Sequence, residues 1–293
     1  MTKAYKVAGH VFTLTLPDAC RIWDFLGQYA PFATDEREDG ALFGLELVES
    51  LPEGEAEVAY DAPTEDGQTV IRVLRREGAW LIEMSPDRNV PVKARVLCSE
   101  DFRSAQICFE GRRVSDAVFG INNTLMLLYA FTTAPLGTLE MHASVTENSG
   151  RAYLFLGKSG TGKSTHSSLW LKHIEGSTLM NDDNPIVRVH EDGSVVAYGS
   201  PWSGKTPCYR NVQAPVGAFV RIRQCPENRI ERMSLVESYA AIYSSSSGFK
   251  SLREMADELH ATMEKIVTTV PCWVLDCRPD EEAARLCAET VRG

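Results

Sequence analysis

Residues 154–170 read LFLGKSGTGKSTHSSLW. The first three residues, Leu154-Phe155-Leu156, have the apolar texture of a buried strand. They run directly into Gly157-Lys158-Ser159-Gly160-Thr161-Gly162-Lys163-Ser164, which satisfies G-x-x-x-x-G-K-[ST] at every fixed position. Each fixed position has a physical reason. Glycines admit backbone angles and close approaches that a side chain would obstruct. Successive N–H groups of such a loop turn inward and form an anion nest, and a helix starting at Lys163 adds the positive end of its dipole. In this pattern Lys163 reaches the β- and γ-phosphates of a nucleotide and the Ser164 hydroxyl ligates Mg²⁺. Lys158, Ser159, Thr161 and Thr165 complete the phosphate rim. The stretch therefore predicts a strand, a phosphate-holding loop and a helix over 163–173, with ATP and Mg²⁺ as ligands.

Downstream, Leu179-Met180-Asn181-Asp182-Asp183 ends a short strand with two adjacent carboxylates. Neighbouring side chains on a strand point in opposite directions, so the two acids cannot share one job. One can hold Mg²⁺ while the other faces an acceptor as a general base. Upstream, 139–145 reads as a strand carrying Met141-His142-Ala143-Ser144. Asn148-Ser149-Gly150 reads as a hairpin turn and 152–156 as the loop's strand. Further along, strands are expected at 178–180, 186–190, 195–198, 216–222 and 272–275. Helices are expected at 116–131, 235–243, 252–267 and 280–291. Alternation of strand and helix argues for an α/β domain from residue 112 to 293.

Residues 1–111 have a different texture. Short strands are expected at 5–16, 41–51, 69–75, 79–84, 92–98 and 105–109, separated by polar, Gly- or Pro-bearing turns, with one helix at 19–29. The acidic stretch 35–39 reads as a solvated loop. The predicted architecture is thus α/β (α+β overall), a β-rich N-terminal domain followed by a nucleotide domain.

Bulk properties narrow the partners. The formal net charge of −10, with no block of Lys or Arg, argues against nucleic acid. The first twenty residues have no apolar signal region. The cleanest apolar run near mid-chain, residues 125–131, is far below the roughly 20 residues of a membrane span. The eight cysteines show no CxxC pair and no zinc spacing, as expected of reduced thiols in the cytoplasm.

The order of these features resembles a known group. A strand with His142-Ala143-Ser144, then the loop 157–164, then Asp182-Asp183 is similar to the C-terminal domain of HPr kinase/phosphorylase and of HPr-kinase-like proteins. It is also similar to the nucleotide core of ATP-dependent phosphoenolpyruvate carboxykinase, where a His-Cys-Ser stretch precedes Gly-Leu-Ser-Gly-Thr-Gly-Lys-Thr and an Asp-Asp pair follows. The resemblance covers residues 120–293 and rests chiefly on the His strand, because the loop is generic to nucleotide-binding proteins. It implies a P-loop kinase of the carboxykinase/HPr-kinase type. His142 would lie beside the phosphates, as a metal ligand in the carboxykinase pattern or a polar group in the kinase pattern. Asp182 would be the catalytic carboxylate, Asp183 the metal-binding one, and the chain would assemble into homo-oligomers. The Glu-x-Arg-Gly-x-Gly signature of HPr kinase/phosphorylase has no counterpart at 211–217. The acceptor implied is therefore any hydroxyl, on a protein serine or a small molecule. The alternatives are a nucleotide-binding regulator with little turnover and a carboxykinase-like lyase.

Four other features are noted. The loop 199–207 (GSPWSGKTP) could close over the phosphate or acceptor, with Lys205 or Arg210 neutralising charge. His166 and Trp170, one helical turn apart, are expected to pack. Arg221 and Arg223 share a strand face, either at a site or on a solvated edge. Ser244–247 with Gly248 reads as a flexible linker.

Overall fold

The computed structural model describes residues 1–35, 40–61, 69–111, 113–204 and 206–293. Lys205, Arg112 and most of the acidic stretch 35–39 lie outside the described residues. The protein is mixed α/β, with two large mixed sheets and few helices. It divides into two compact units, Met1–Thr133 and Ala134–Gly293.

The N-terminal unit is built on a nine-stranded sheet: β1 (Thr2–Val7), β2 (His10–Thr15), β3 (Ala33–Thr34), β4 (Phe43–Leu47), β5 (Glu57–Asp61), β6 (Val70–Arg76), β7 (Ala79–Ser85), β8 (Ala94–Ser99) and β9 (Ser104–Phe109). Its spatial order is β3-β1-β2-β4-β9-β8-β7-β6-β5. The long alternation predicted over 5–16 is a hairpin here. Ala8 (φ 48°) and Gly9 (φ 83°) turn the chain back, and Val7 pairs with His10. The helix predicted at 19–29 is two 3₁₀ turns, Arg21–Phe25 and Gly27–Phe32, because Gly27 and Pro31 interrupt an α-helix.

The helix α1 (Val114–Thr133) packs on β4, β8 and β9, although its sequence position had placed it with the second domain. Gly120 makes this contact possible, since a Cβ there would lie 2.7 Å from the Ala94 side chain and 2.8 Å from Phe109. The phenol of Tyr129 donates to the Val7 carbonyl, and Ile121, Leu125 and Leu128 are fully buried. The same helix, measured to Leu136, is the one segment among the described residues long and apolar enough to cross a membrane, and most of it is buried inside the protein.

The C-terminal unit contains β10 (Thr138–Glu140), β11 (Ala143–Asn148), β12 (Arg151–Leu156), α2 (Lys163–His173), β13 (Thr178–Asp183), β14 (Ile186–Val189), β15 (Val195–Tyr198), β16 (Gln213–Gln224), β17 (Arg229–Arg232), α3 (Leu235–Ser245), α4 (Arg253–Thr269), β18 (Cys272–Cys277) and α5 (Glu281–Arg292). The order is β10-β14-β15-β16-β12-β11-β13, with β18 also on β16 and β17 on β18. Only the β12–β16 and β16–β18 pairs are parallel. The core on one face joins Tyr153, Phe155, Val220, Ile222 and Leu275 to Trp170 of α2 and to Ala284 and Cys287 of α5. The capping box of Ser234 and Glu237 starts α3, and Asp280 caps α5.

The strand predicted at 139–145 breaks in two. Residues up to Glu140 pair with β14, while those from Ala143 pair with β12 and β13. The break falls at Met141-His142. The Ser244–247 segment, read as a flexible linker, is tied down at this break. The His142 amide donates to the Ser245 carbonyl, Ser246 bridges Met141, and the Ser247 amide donates to the Glu140 carbonyl.

Glu140 is a buried carboxyl in this region. Burial pushes its pKa up to about 8, against a weak hydrogen bond from Ser247 and with the Asp183 charge adding to the rise. A carboxyl raised in the folded state stabilises the fold most below its unfolded pKa near 4.5, and that advantage is lost as pH climbs through about 8. Stability is therefore expected to fall by roughly 4 kcal/mol over that window. Glu140→Gln should flatten this slope in denaturant titrations at successive pH values; an unchanged slope would refute the assignment.

Candidate functional site

The loop 157–164 leaves the end of β12 and enters α2. Gly157 has φ 149°, and a Cβ on it would stand 2.5 Å from the Thr161 hydroxyl, so only glycine fits. Gly162, at φ 101°, is the left-handed residue from which α2 starts. Thr161 folds the loop by donating from both its amide (3.2 Å) and its hydroxyl (2.8 Å) to the Lys158 carbonyl. Lys158, Ser159, Gly160, Ser164 and Thr165 are exposed around it.

Lys163, by contrast, is buried at 8% exposure. Its ammonium donates to the Gly157 carbonyl (2.9 Å), the Lys158 carbonyl (3.4 Å) and His142 Nε2 (2.9 Å). An ammonium has three donors and no acceptor, so all three are engaged and Nε2 of His142 must accept. The His142 proton is then on Nδ1. Burial first, and Lys163 second, push the His142 pKa below its ordinary value, against the pull of Asp183, so the ring is neutral. The 3.4 Å approach of Asp183 Oδ1 to the same nitrogen is a polar contact rather than a salt bridge. Burial also lowers the Lys163 pKa, and Asp183 and then Asp182 oppose it. Lys163, His142 and Asp183 thus form one cluster at the mouth of the loop.

The two acids differ in setting. β13 pairs Asp182 with Ser144 and Asp183 with Ala143. Asp182 is 4% exposed, and its Oδ1 is buried with no hydrogen-bond partner. Asp183 has a side chain 39% exposed and accepts from Asn184 Nδ2 at 3.1 Å. Among the described residues no cluster of three or more His, Cys, Asp or Glu is present. Mg²⁺ needs none, since one or two carboxylates, phosphate oxygens and water complete its shell. An orphaned buried carboxylate oxygen is costly unless a cation answers it, so Asp182 fits such an ion.

Sequence reasoning missed how this pair is held. Asn181, fully buried, donates from Nδ2 to Ser200 Oγ (3.1 Å) and to the Trp202 carbonyl (3.0 Å). Ser200 Oγ donates onward to the Asn184 carbonyl (2.6 Å), and the Gly204 amide donates to the Asp182 carbonyl (2.7 Å). The loop 199–204 is therefore a buttress under the acids, with Trp202 buried. Lys205 lies outside the described residues, and Arg210 donates from Nη1 to the Leu179 carbonyl. Ser200→Ala, which leaves buried polar atoms without partners, should lower stability by about 1–3 kcal/mol in chemical denaturation. A loss well under that range would show that the buttress is not needed.

His166 sits in the core. It accepts from Trp170 Nε1 at 3.1 Å and stacks edge-on to Phe155, and burial pushes its pKa down to about 4. Arg223 is paired with Asp276. Beside the loop lies a cleft of about 600 Å³ whose walls come from the loop itself, α2 and the ends of β16 and β18, the strand ends carrying no local sequence signal. Compared with protein-family models and with curated proteins, the chain matches none.

Proposed function

We propose that this protein is an ATP- and Mg²⁺-dependent phosphotransferase of the HPr-kinase-like kind, acting on a hydroxyl acceptor. The carrying observation is the contact set of Lys163, a single buried ammonium that joins the glycine loop to His142, with Asp183 Oδ1 3.4 Å from the same His142 nitrogen. Loop amides and Lys163 would hold the phosphates in a P-loop. Ser164 and Asp182 would hold Mg²⁺, which when bound neutralises charge on the phosphate oxygens.

Asp183 then serves as the base. It is the more exposed acid, and a base must be reachable by the acceptor. This reverses the roles that the family resemblance implies for the pair, because burial favours Asp182 for a cation. Asp183 takes the proton of the acceptor hydroxyl as that oxygen bonds to the γ-phosphorus and the bond from that phosphorus to the bridging oxygen breaks, releasing ADP. Lys163 exchanges its loop-carbonyl partners for phosphoryl oxygens and answers their charge. Neutral His142 keeps Lys163 aimed without adding a second cation. The eight unpaired cysteines suit a reducing cytoplasm.

The test is ADP formation from ATP and Mg²⁺ across a panel of serine peptides, free hydroxy amino acids and polyols. ADP formed in step with a phosphorylated product supports the reading. Tight ATP binding with no product, unaffected by Asp182→Asn or Asp183→Asn, would instead make the protein a nucleotide-binding regulator.

A further inference from the structure

The cleft beside the loop shares Gly160, Gly162 and Thr165 with it, so whatever fills the cleft is continuous with a ligand seated on the loop. Its walls are apolar: Leu169 of α2, Ile222 of β16, and Pro226 and Pro279 beyond the strand ends. Two thiols, Cys225 and Cys277, stand among them, with Thr161, Thr165 and the His166 ring, already bonded to Trp170, on the helix side. Arg278 lines the rim, but its guanidinium is already answered by Asp280 (2.8 Å) and Glu282 (2.9 Å). No unspent cation faces the cleft among its described lining residues, so it suits an uncharged group rather than a second anion.

Gln224 supplies the polar reading head. Its Nε2 donates to the Gly160 carbonyl at 3.2 Å. A carbonyl can only accept, so this contact assigns the amide orientation and leaves Oε1 as an acceptor. An amino group is what such an acceptor recognises. Adenine carries an exocyclic amine where guanine carries a carbonyl oxygen.

We propose that this cleft is the nucleobase site and that Gln224 Oε1 selects adenine by accepting from its exocyclic amine. The proposal rests on the phosphate-loop reading above and adds residues that the sequence did not single out. Gln224 also links the two halves, because the amide that reads the base is anchored on the phosphate loop. Cys225 is half-buried at the cleft, whereas Cys277 is buried and its thiol pushed up to about 11. Cys225 is therefore the thiol that reports occupancy.

The experiment uses the full chain. Alkylation of Cys225 by N-ethylmaleimide is followed by peptide mass spectrometry with Mg²⁺ and saturating ADP, GDP or inorganic tripolyphosphate, saturation being set by calorimetry. ADP is expected to slow alkylation of Cys225 at least tenfold, whereas tripolyphosphate, confined to the loop, leaves the rate unchanged. Gln224→Ala should weaken ADP relative to tripolyphosphate by about two- to tenfold, the worth of one neutral hydrogen bond, and erase the preference over GDP. Binding of ADP without protection of Cys225, or an intact preference in Gln224→Ala, overturns the proposal while leaving the loop reading standing. Failure of both ADP and tripolyphosphate to bind overturns the loop reading and this proposal with it.

Discussion

Lys163→Met is expected to weaken ATP binding by about a hundredfold or more and to remove turnover. The side chain keeps its volume and loses only its charge. Charge-assisted hydrogen bonds contribute roughly 1.5–3 kcal/mol each, and two or more to phosphate oxygens account for a loss of that size. Lys163 already sits at the loop mouth, 2.9 Å from both the Gly157 carbonyl and His142. Its neighbour in that cluster, His142, is neutral. Calorimetric titration of Mg²⁺·ATP, beside a thermal melt to show that the variant folds, checks this. Wild-type affinity in a folded variant would end the phosphate-loop assignment.

The second large effect belongs to Asp183→Asn. General-base contributions run at about 10²–10⁴ in rate, and turnover should fall by that much while ATP affinity changes only a few-fold. Asp182→Asn should behave differently, raising the Mg²⁺ concentration needed for half-maximal rate. The contrast separates the two acids better than either variant alone. If Asp182→Asn removed turnover at saturating Mg²⁺ and Asp183→Asn did not, the roles given to the pair would be exchanged. The pH profile adds an internal check. Below the lowered pKa of His142 its ring becomes a cation beside Lys163 and can no longer accept from it. Activity should therefore fall on the acid side at a pH below the usual histidine value, and Asp183→Asn, which removes the one interaction raising that pKa, should move the limb lower still.

Most of the candidate site was legible along the chain because its pattern is local. A glycine at Gly157 or Gly162 answers a constraint set by its own backbone, and Lys163 is the first residue of the helix, so spacing alone reveals them. His142 stands just before β11, the strand beside the loop's strand, and Asp182 and Asp183 end β13, one strand further out; all three could be found by type and order. The cleft could not. Leu169, Gln224, Cys225 and Cys277 are ordinary residues far apart in sequence, and they meet only because β12, β16 and β18 run parallel and end at the same edge.

The same division holds for the fold. Alternation of apolar residues announced β-strands and helix periodicity announced α1, α4 and α5, because each element must present an apolar face to something. Which partner receives that face is a long-range choice. Periodicity did not tell that α1 would cover the N-terminal sheet, through the close approach at Gly120, or that the strand at 139–145 would change partners at His142. That exchange of partners turns His142 out of the ladder toward Lys163, and Ser245 holds it there by accepting from its amide. Hydrogen bonds between strands carry no mark in the sequence of either strand. The glycine loop was therefore written locally, while the cleft beside it, the buttress under the acids and the posture of His142 were decided by packing.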